Sequence, residues 1–299
     1  MDNIPMIPVL SIDMFSFINV MPIINYLLDG RYDNPLEYET KKGKSTMKFV
    51  VHAENAEGVV LNYFDICVFN SLYTLWNNGY LFITYEMLNR VITGSKKADL
   101  TDNRQDELYE SLCRLSRVKL NITITRAEGK SSEESTYNSR LICIKGHQKA
   151  CLMNGHIVND AIEIAGPSAL WDIAEDIKQV ALVPMGVLEA PVLNNTDDSI
   201  ILKHYLLHRI CVMKNKNNKI NSDIIYLYRL NSKTKMYTGL FSVLGYAPET
   251  VGNIENVNKR KSIFAVIYRY MDFLKETKYI KDYERIRRGR ETVALRIIP

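Results

Sequence analysis

Lys259, Arg260 and Lys261 stand together at the start of a long amphipathic stretch, and Arg287, Arg288 and Arg290 flank Gly289 near the C-terminus. Ammonium and guanidinium groups alone break no bonds. They bind anions, and the repeating anion that suits two separated basic clusters is a nucleic-acid backbone. If the first cluster begins a helix, the dipole and the unpaired N–H groups of the first turn add to its attraction for phosphate. That end is also the one a helix in the major groove presents to base edges. Arg269 and Lys275 continue the basic side of the same stretch. The three arginines fall at a turn between two alternating segments, where a hairpin tip reaches an adjacent minor groove. A solvated charged face is the plain alternative for either run alone; the two together favour nucleic acid.

The charge distribution agrees with this. The 299 residues hold 38 Lys and Arg against 34 Asp and Glu, a formal net charge of +4. Residues 1–202 carry 18 basic and 26 acidic side chains, a net −8, and residues 203–299 carry 20 against 8, a net +12. Such asymmetry aims the last third at a polyanion.

Other chemistries find little support. Gly43-Lys44-Ser45-Thr46 resembles the end of a phosphate-binding loop, but the first glycine of GxxxxGK[ST] falls on Tyr38, and the preceding EYETKK is no apolar strand. A basic surface loop is the simpler reading. His204 and His208 share the i, i+4 spacing of two metal ligands, yet Tyr205, Leu206 and Leu207 between them include no glutamate. They read as partly buried or surface histidines. Cys143, Cys151 and His156 lack the close pairs of a structural zinc site, and neither a His-x-His pair nor a GxSxG turn occurs. The expectation is a protein that is not an enzyme and needs no metal or cofactor.

Composition sets the frame. With 46% apolar and 24% charged residues the chain is an ordinary globular one, large enough to fold without staples. Its five cysteines (67, 113, 143, 151 and 211) lie in apolar or amphipathic segments, which suits a reducing cytoplasm. The first basic residue is Arg31, so the N-terminus lacks a signal-peptide flank, and Pro5, Pro8 and Pro22 break any helix there. No apolar run approaches the roughly 20 residues of a membrane span.

The elements that must position the basic clusters recur twice. Tyr63 to Asn78 predicts a helix behind Asn62, with Phe64, Val68, Leu72 and Leu75 on one side and Gly79 as its stop. A short helix follows from Thr84 to Gly94, and a third from Asp102 to Arg117 buries Leu108, Leu112 and Leu115. Leu120 to Thr125 alternates as a strand, Arg126 to Asn138 reads as a hairpin tip, and Arg140 to Lys145 as the returning strand. The second set comprises a helix over Asp197 to Lys214, a short helix over Ser222 to Leu230 behind Asn221 and Ser222, and an insertion from Asn231 to Val257. It closes with a helix from Asn258 to Thr277 and strands over Tyr279 to Ile286 and Thr292 to Ile298. Residues 139–190 add strands and a helix near Ser168 to Ile177; Pro184 to Pro191 and Asn194 to Thr196 read as a linker. The fold class is α+β with two tandem winged helices, helix-turn-helix units each ending in a β-hairpin wing. The divisions are an N-terminal extension over 1–60 with Met47 to Ala53 as its clear strand, an N-terminal domain over 61–193, and a basic C-terminal domain over 194–299. The third helix of the first unit starts with Asp102, Asp106, Glu107 and Glu110, which repel phosphate, although Arg104, Arg114, Arg117 and Lys119 are near and Lys96-Lys97 precede it. Both DNA contact and a packing or self-association role stay open for it.

On Tyr63 to Gly94, Ile201 to Asn215 and Lys259 to Tyr283, the chain resembles the replication initiators of theta-replicating plasmids and related mobile elements, over about residues 60–299. That resemblance implies a cytoplasmic protein that binds double-stranded DNA at direct repeats of an origin, opens nearby DNA with host replication proteins, and dimerises to repress its own promoter. It makes the C-terminal unit the main reader and the N-terminal unit the dimerising one. The expected DNA contacts are Lys259, Arg260, Lys261, Arg269, Lys275, Arg287, Arg288 and Arg290. A transcriptional regulator with the same units, and a protein-interaction module without DNA, are the alternatives.

Overall fold

Pro22 opens a helix instead of breaking one. In the computed structural model the described residues are 12–30, 32–42, 45–55, 58–129, 131–151, 157–214, 223–227, 229–230, 237–246, 254–289 and 291–299. After strand β1 (Met14–Ile18), helix α1 spans Met21–Asp29 with Pro22 in its first turn, where a missing N–H costs no helical hydrogen bond. Strands β2 (Leu36–Lys42) and β3 (Ser45–Asn55) follow; Gly43 and Lys44 between them lie outside the described residues.

Side-chain caps set the next three helices. Asn62 and Asp65 form a reciprocal capping box at the start of α2 (Tyr63–Asn77). Thr84, the last residue of β4 (Phe82–Thr84), caps α3 (Tyr85–Thr93), and Thr101 caps α4 (Asp102–Arg117). Helix α2 is not one-sided: every residue from Tyr63 to Leu75 is buried, so it is the central helix of this half. Its polar side chains serve the surroundings. Asn70 Oδ1 accepts the Ile18 N–H and Thr74 Oγ1 the Ser16 N–H, which docks β1 onto it.

The first hairpin differs from expectation. It is β5 (Val118–Glu128) and β6 (Ser131–Arg140), so the polar stretch read as a tip is strand, and Arg140 ends it instead of starting the return. The hairpin is not a separate wing, because β5 also pairs with β3 in a four-stranded sheet of order β2-β3-β5-β6. Strand β4 pairs with β8 (Ile157–Gly166), next to β7 (Cys143–Cys151). Helix α5 (Ala169–Asp176) and strand β9 (Val180–Pro184) lead back to β1, the pairing partner of β9. The stretch read as a linker holds a short helix, α6 (Met185–Glu189), with Val187 and Leu188 buried.

In the second half, α7 covers Asp197–Lys214, as expected. The predicted short helix over 222–230 is instead strands β10 (Ile224–Tyr226) and β11 (Arg229–Leu230), with Asn221 and Ser222 outside the described residues. After β12 (Tyr237–Thr238) the short helix comes later, as α8 (Leu240–Val243), inside the expected insertion. Helix α9 (Ile254–Glu276) and strands β13 (Asp282–Arg288) and β14 (Glu291–Ile298) complete the chain. All the sheet pairings among the described residues are antiparallel, and the architecture is α+β.

One hydrophobic cluster runs through both halves, from Phe15, Leu72 and Leu120 to Leu206, Ile267 and Leu295. Where they meet, α7 caps the end of α3. Lys203 Nζ donates to Thr93 O at 2.9 Å, and His204 Nε2 lies 2.8 Å from Ile92 O, so carbonyls left over at a helix C-terminus find donors. His208 stacks on Phe17 at 5.3 Å and bonds Asn19 Oδ1 at 3.0 Å. Both histidines are buried, contrary to the surface or half-buried expectation. Burial pushes His204 down to about 3, His208 to about 4 and Lys203 to about 8, so both imidazoles are neutral at physiological pH. Gly94, at φ +77°, fits against α6; a Cβ there would lie 2.5 Å from Glu189 N.

Candidate nucleic-acid interface

The short strand β10, between α7 and α8, pairs with the returning strand β14, giving the sheet order β10-β14-β13 behind α9. Helix α9 buries Ile263, Ile267, Tyr270, Met271 and Leu274 on one side. Its outward stripe is Lys261, Ser262, Ala265, Arg269 and Asp272, two cations with small side chains between them. Small residues let a helix backbone approach a partner closely, and cations set the charge of that partner.

Three side-chain pairs lash β13 to α9. Lys275 Nζ bonds Asp282 Oδ1 at 2.9 Å, Tyr283 Oη donates to Asp272 Oδ1 at 2.8 Å, and the Arg285 guanidinium lies 3.6 Å over the Tyr268 ring. Tyr268 Oη also meets Thr292 Oγ1 of β14 at 3.2 Å. From the first pair to the third the strand advances by about 10 Å and the helix retreats by about 10 Å, at the usual rises per residue. The strand thus runs back along α9 in the direction of Lys261, with a register shift between Ile286 and Arg287. The strand that leads to the hairpin end and the helix that carries the outward stripe are neighbouring elements. Arg285 and Tyr268 were not among the expected residues; the signal available in sequence was only a basic residue two positions before Arg287.

The expected contacts divide into three groups. Lys261, Arg269, Arg287 and Arg288 are exposed and make no ion pair among the described residues. Arg260 lies over the Phe264 ring at 5.7 Å. Lys259 and Lys275 are held by carboxylates: Lys259 bonds Asp198 Oδ2 at 2.6 Å, which raises its pKa, and Lys275 is tied to Asp282. Arg290 lies outside the described residues.

The first half presents the opposite picture on its corresponding helix. Arg104 pairs with Glu107 and Asp197, Arg114 takes Asp65 and Glu110, and Arg126 pairs with Asp176. Burial and the neighbouring Asp197 raise the Glu107 carboxyl. What α4 leaves outward is Asp102, Asn103, Asp106, Tyr109 and Glu110, an acidic face with one aromatic, and Arg117 at its last residue. Lys96 and Lys97 remain exposed in the loop before it. Among the described residues no group of three or more His, Cys, Asp or Glu is placed to hold a metal ion, and no helix is long and apolar enough to cross a membrane.

No protein-family profile matches the chain, and no curated protein does. Two crystal structures of domains 2 and 3 of RctB, one in selenomethionine form, are similar to it. The selenomethionine structure has 12% identity and a TM-score of 0.37 over 89% of this chain and 90% of the other. The second has 10% identity and a TM-score of 0.40 over 88% and 90%.

Proposed function

We propose that this chain is a non-enzymatic, sequence-specific binder of double-stranded DNA, of the replication-initiator kind suggested by its resemblance to plasmid initiators. The observation that supports the reading is four exposed cations, Lys261 and Arg269 on α9 and Arg287 and Arg288 on β13, on two elements joined through Arg285 and Tyr268. In this reading α7, α8, α9 and the three-stranded sheet are a winged helix, α9 its major-groove helix and β13–β14 its wing. The first half, whose Arg104, Arg114 and Arg126 are spent on internal pairs, serves self-association or host-protein contact and not base reading.

The test is fluorescence anisotropy of the full chain with a duplex from the DNA upstream of its own coding sequence, and with a scrambled duplex, across a salt series. With Arg260, Lys261, Arg269, Arg287, Arg288 and Arg290 each on a phosphate, the log–log slope is about −5. Selective binding with that slope supports the reading. A shallow slope, or no binding at low salt, overturns it in favour of a protein-interaction module. Preference for a promoter operator over origin repeats makes the chain a transcriptional regulator.

A further inference from the structure

Asp197 and Asp198, the first two residues of α7, reach the third helices of both halves. Asp197 accepts from Arg104 of α4, whose guanidinium also donates to Asn195 O at 2.9 Å. Asp198 takes the Lys259 ammonium of α9 at 2.6 Å and the Tyr246 hydroxyl at 3.2 Å, and Lys259 lies 5.8 Å from the Tyr246 ring centre. A carboxylate at a helix N-terminus is favoured by the dipole, which adds to the hold of Asp198 on its cation. To Lys259 this oxygen is chemically what a backbone phosphate oxygen is. The pair is not sealed off: the Asp198 side chain is 33% exposed and that of Lys259 48%. A competing anion arriving along α9 meets both.

Resting on the DNA-binding reading above, we propose that Asp198 is a built-in competitor for phosphate at Lys259 and so limits the affinity of the basic face. Lys259 then belongs to the interface only after it exchanges one anion for another. While Asp198 holds Lys259, that ammonium neutralises no phosphate and no counterion leaves the DNA on its account, so Lys259 adds almost nothing to binding in the native chain.

The experiment compares wild type, Asp198→Asn, Lys259→Ala and the double variant on the same two duplexes across the same salt series, with a thermal melt of each. For Asp198→Asn the expected result is about two- to fivefold tighter binding, the range an exposed ion pair accounts for. Its salt slope should steepen by about 0.9, the value of one added phosphate contact. Lys259→Ala alone leaves the slope unchanged, and the double variant returns to the wild-type slope. If Asp198 is only a strut, Asp198→Asn lowers the melting temperature and weakens both duplexes without steepening the slope, which overturns the proposal. Should Asp198→Asn fail to fold, Lys259→Ala decides: a slope shallower by about 0.9 in that variant means that Lys259 already holds phosphate, and the competitor does not exist. Absence of binding by all four proteins at low salt sinks the DNA reading itself, a result distinct from binding with an unaltered slope.

Discussion

The buried histidines of α7 make the stability of the whole chain depend on pH in a window where exposed carboxylates scarcely titrate. His204 and His208 are held near 3 and 4, against about 6.5 for an unfolded imidazole, chiefly because burial disfavours the charged ring. The folded values are depressed, so between these limits the unfolded chain binds more protons. The stabilisation is complete above about pH 6.5 and is lost as pH falls towards 4 and 3. Between pH 7 and 5 each histidine gives up about 2 kcal/mol, about 4 kcal/mol together, against a typical total of about 5–15 kcal/mol. Urea unfolding followed through the emission of buried Trp171 measures this directly. His208→Gln keeps an N–H for Asn19 Oδ1 and removes one titration, so its loss over the same interval should be about 2 kcal/mol. Parallel stability–pH curves for wild type and variant would refute the reasoning, since the two differ by one protonation site.

Replacing Arg287 and Arg288 with alanine removes two exposed cations that make no ion pair among the described residues, so melting should be unchanged while the salt slope of the proposed DNA binding falls in magnitude by about 1.8. Gly94→Ala forces a left-handed residue with a side chain into the backbone of α6 and should cost about 2–4 kcal/mol in urea unfolding; a cost under about 0.5 would mean that α3 and α6 do not meet as described. Asp65→Asn leaves the Arg114 guanidinium, now 2.9 Å from the fully buried carboxylate, without its counter-charge. The expected cost is about 2–3 kcal/mol, below that of a sealed pair because Arg114 is 25% exposed, and unaltered urea stability would contradict it.

Much of the helical framework is legible in the sequence because its signals are local. Thr84, Asn62 and Thr101 cap the helices they precede, and the apolar spacing of 108, 112 and 115 marks the buried side of α4. What was not legible depends on distant partners. Ile224–Tyr226 is a strand because β14, some 70 residues later, pairs with it; alone, the segment fits a helix equally well. Ser131–Arg140 reads as loop because it is an edge strand, largely exposed, and its polar composition carries no alternation. At the candidate interface, the clusters Lys259–Lys261 and Arg287–Arg288 are visible as charge, but the carboxylates that engage Lys259 and Lys275 are not. Asp198 lies 61 positions before its partner, and no spacing rule connects them. The burial of His204 and His208 was hidden for a similar reason: Phe15, Phe17 and Asn19 reach them from the opposite end of the chain.

The continuous core has a consequence for modular inheritance. Tyr270 of α9 donates its hydroxyl to Val187 O, Lys203 of α7 satisfies Thr93 O, and Leu202, Leu206 and Ile267 share one cluster with Leu88 and Leu188. Recombination that swapped residues 194–299 for a counterpart of different ancestry would bring a foreign surface against every one of these contacts. A lineage carrying this chain can therefore change its outward residues one at a time, as on the α9 stripe, far more readily than it can exchange the second half whole.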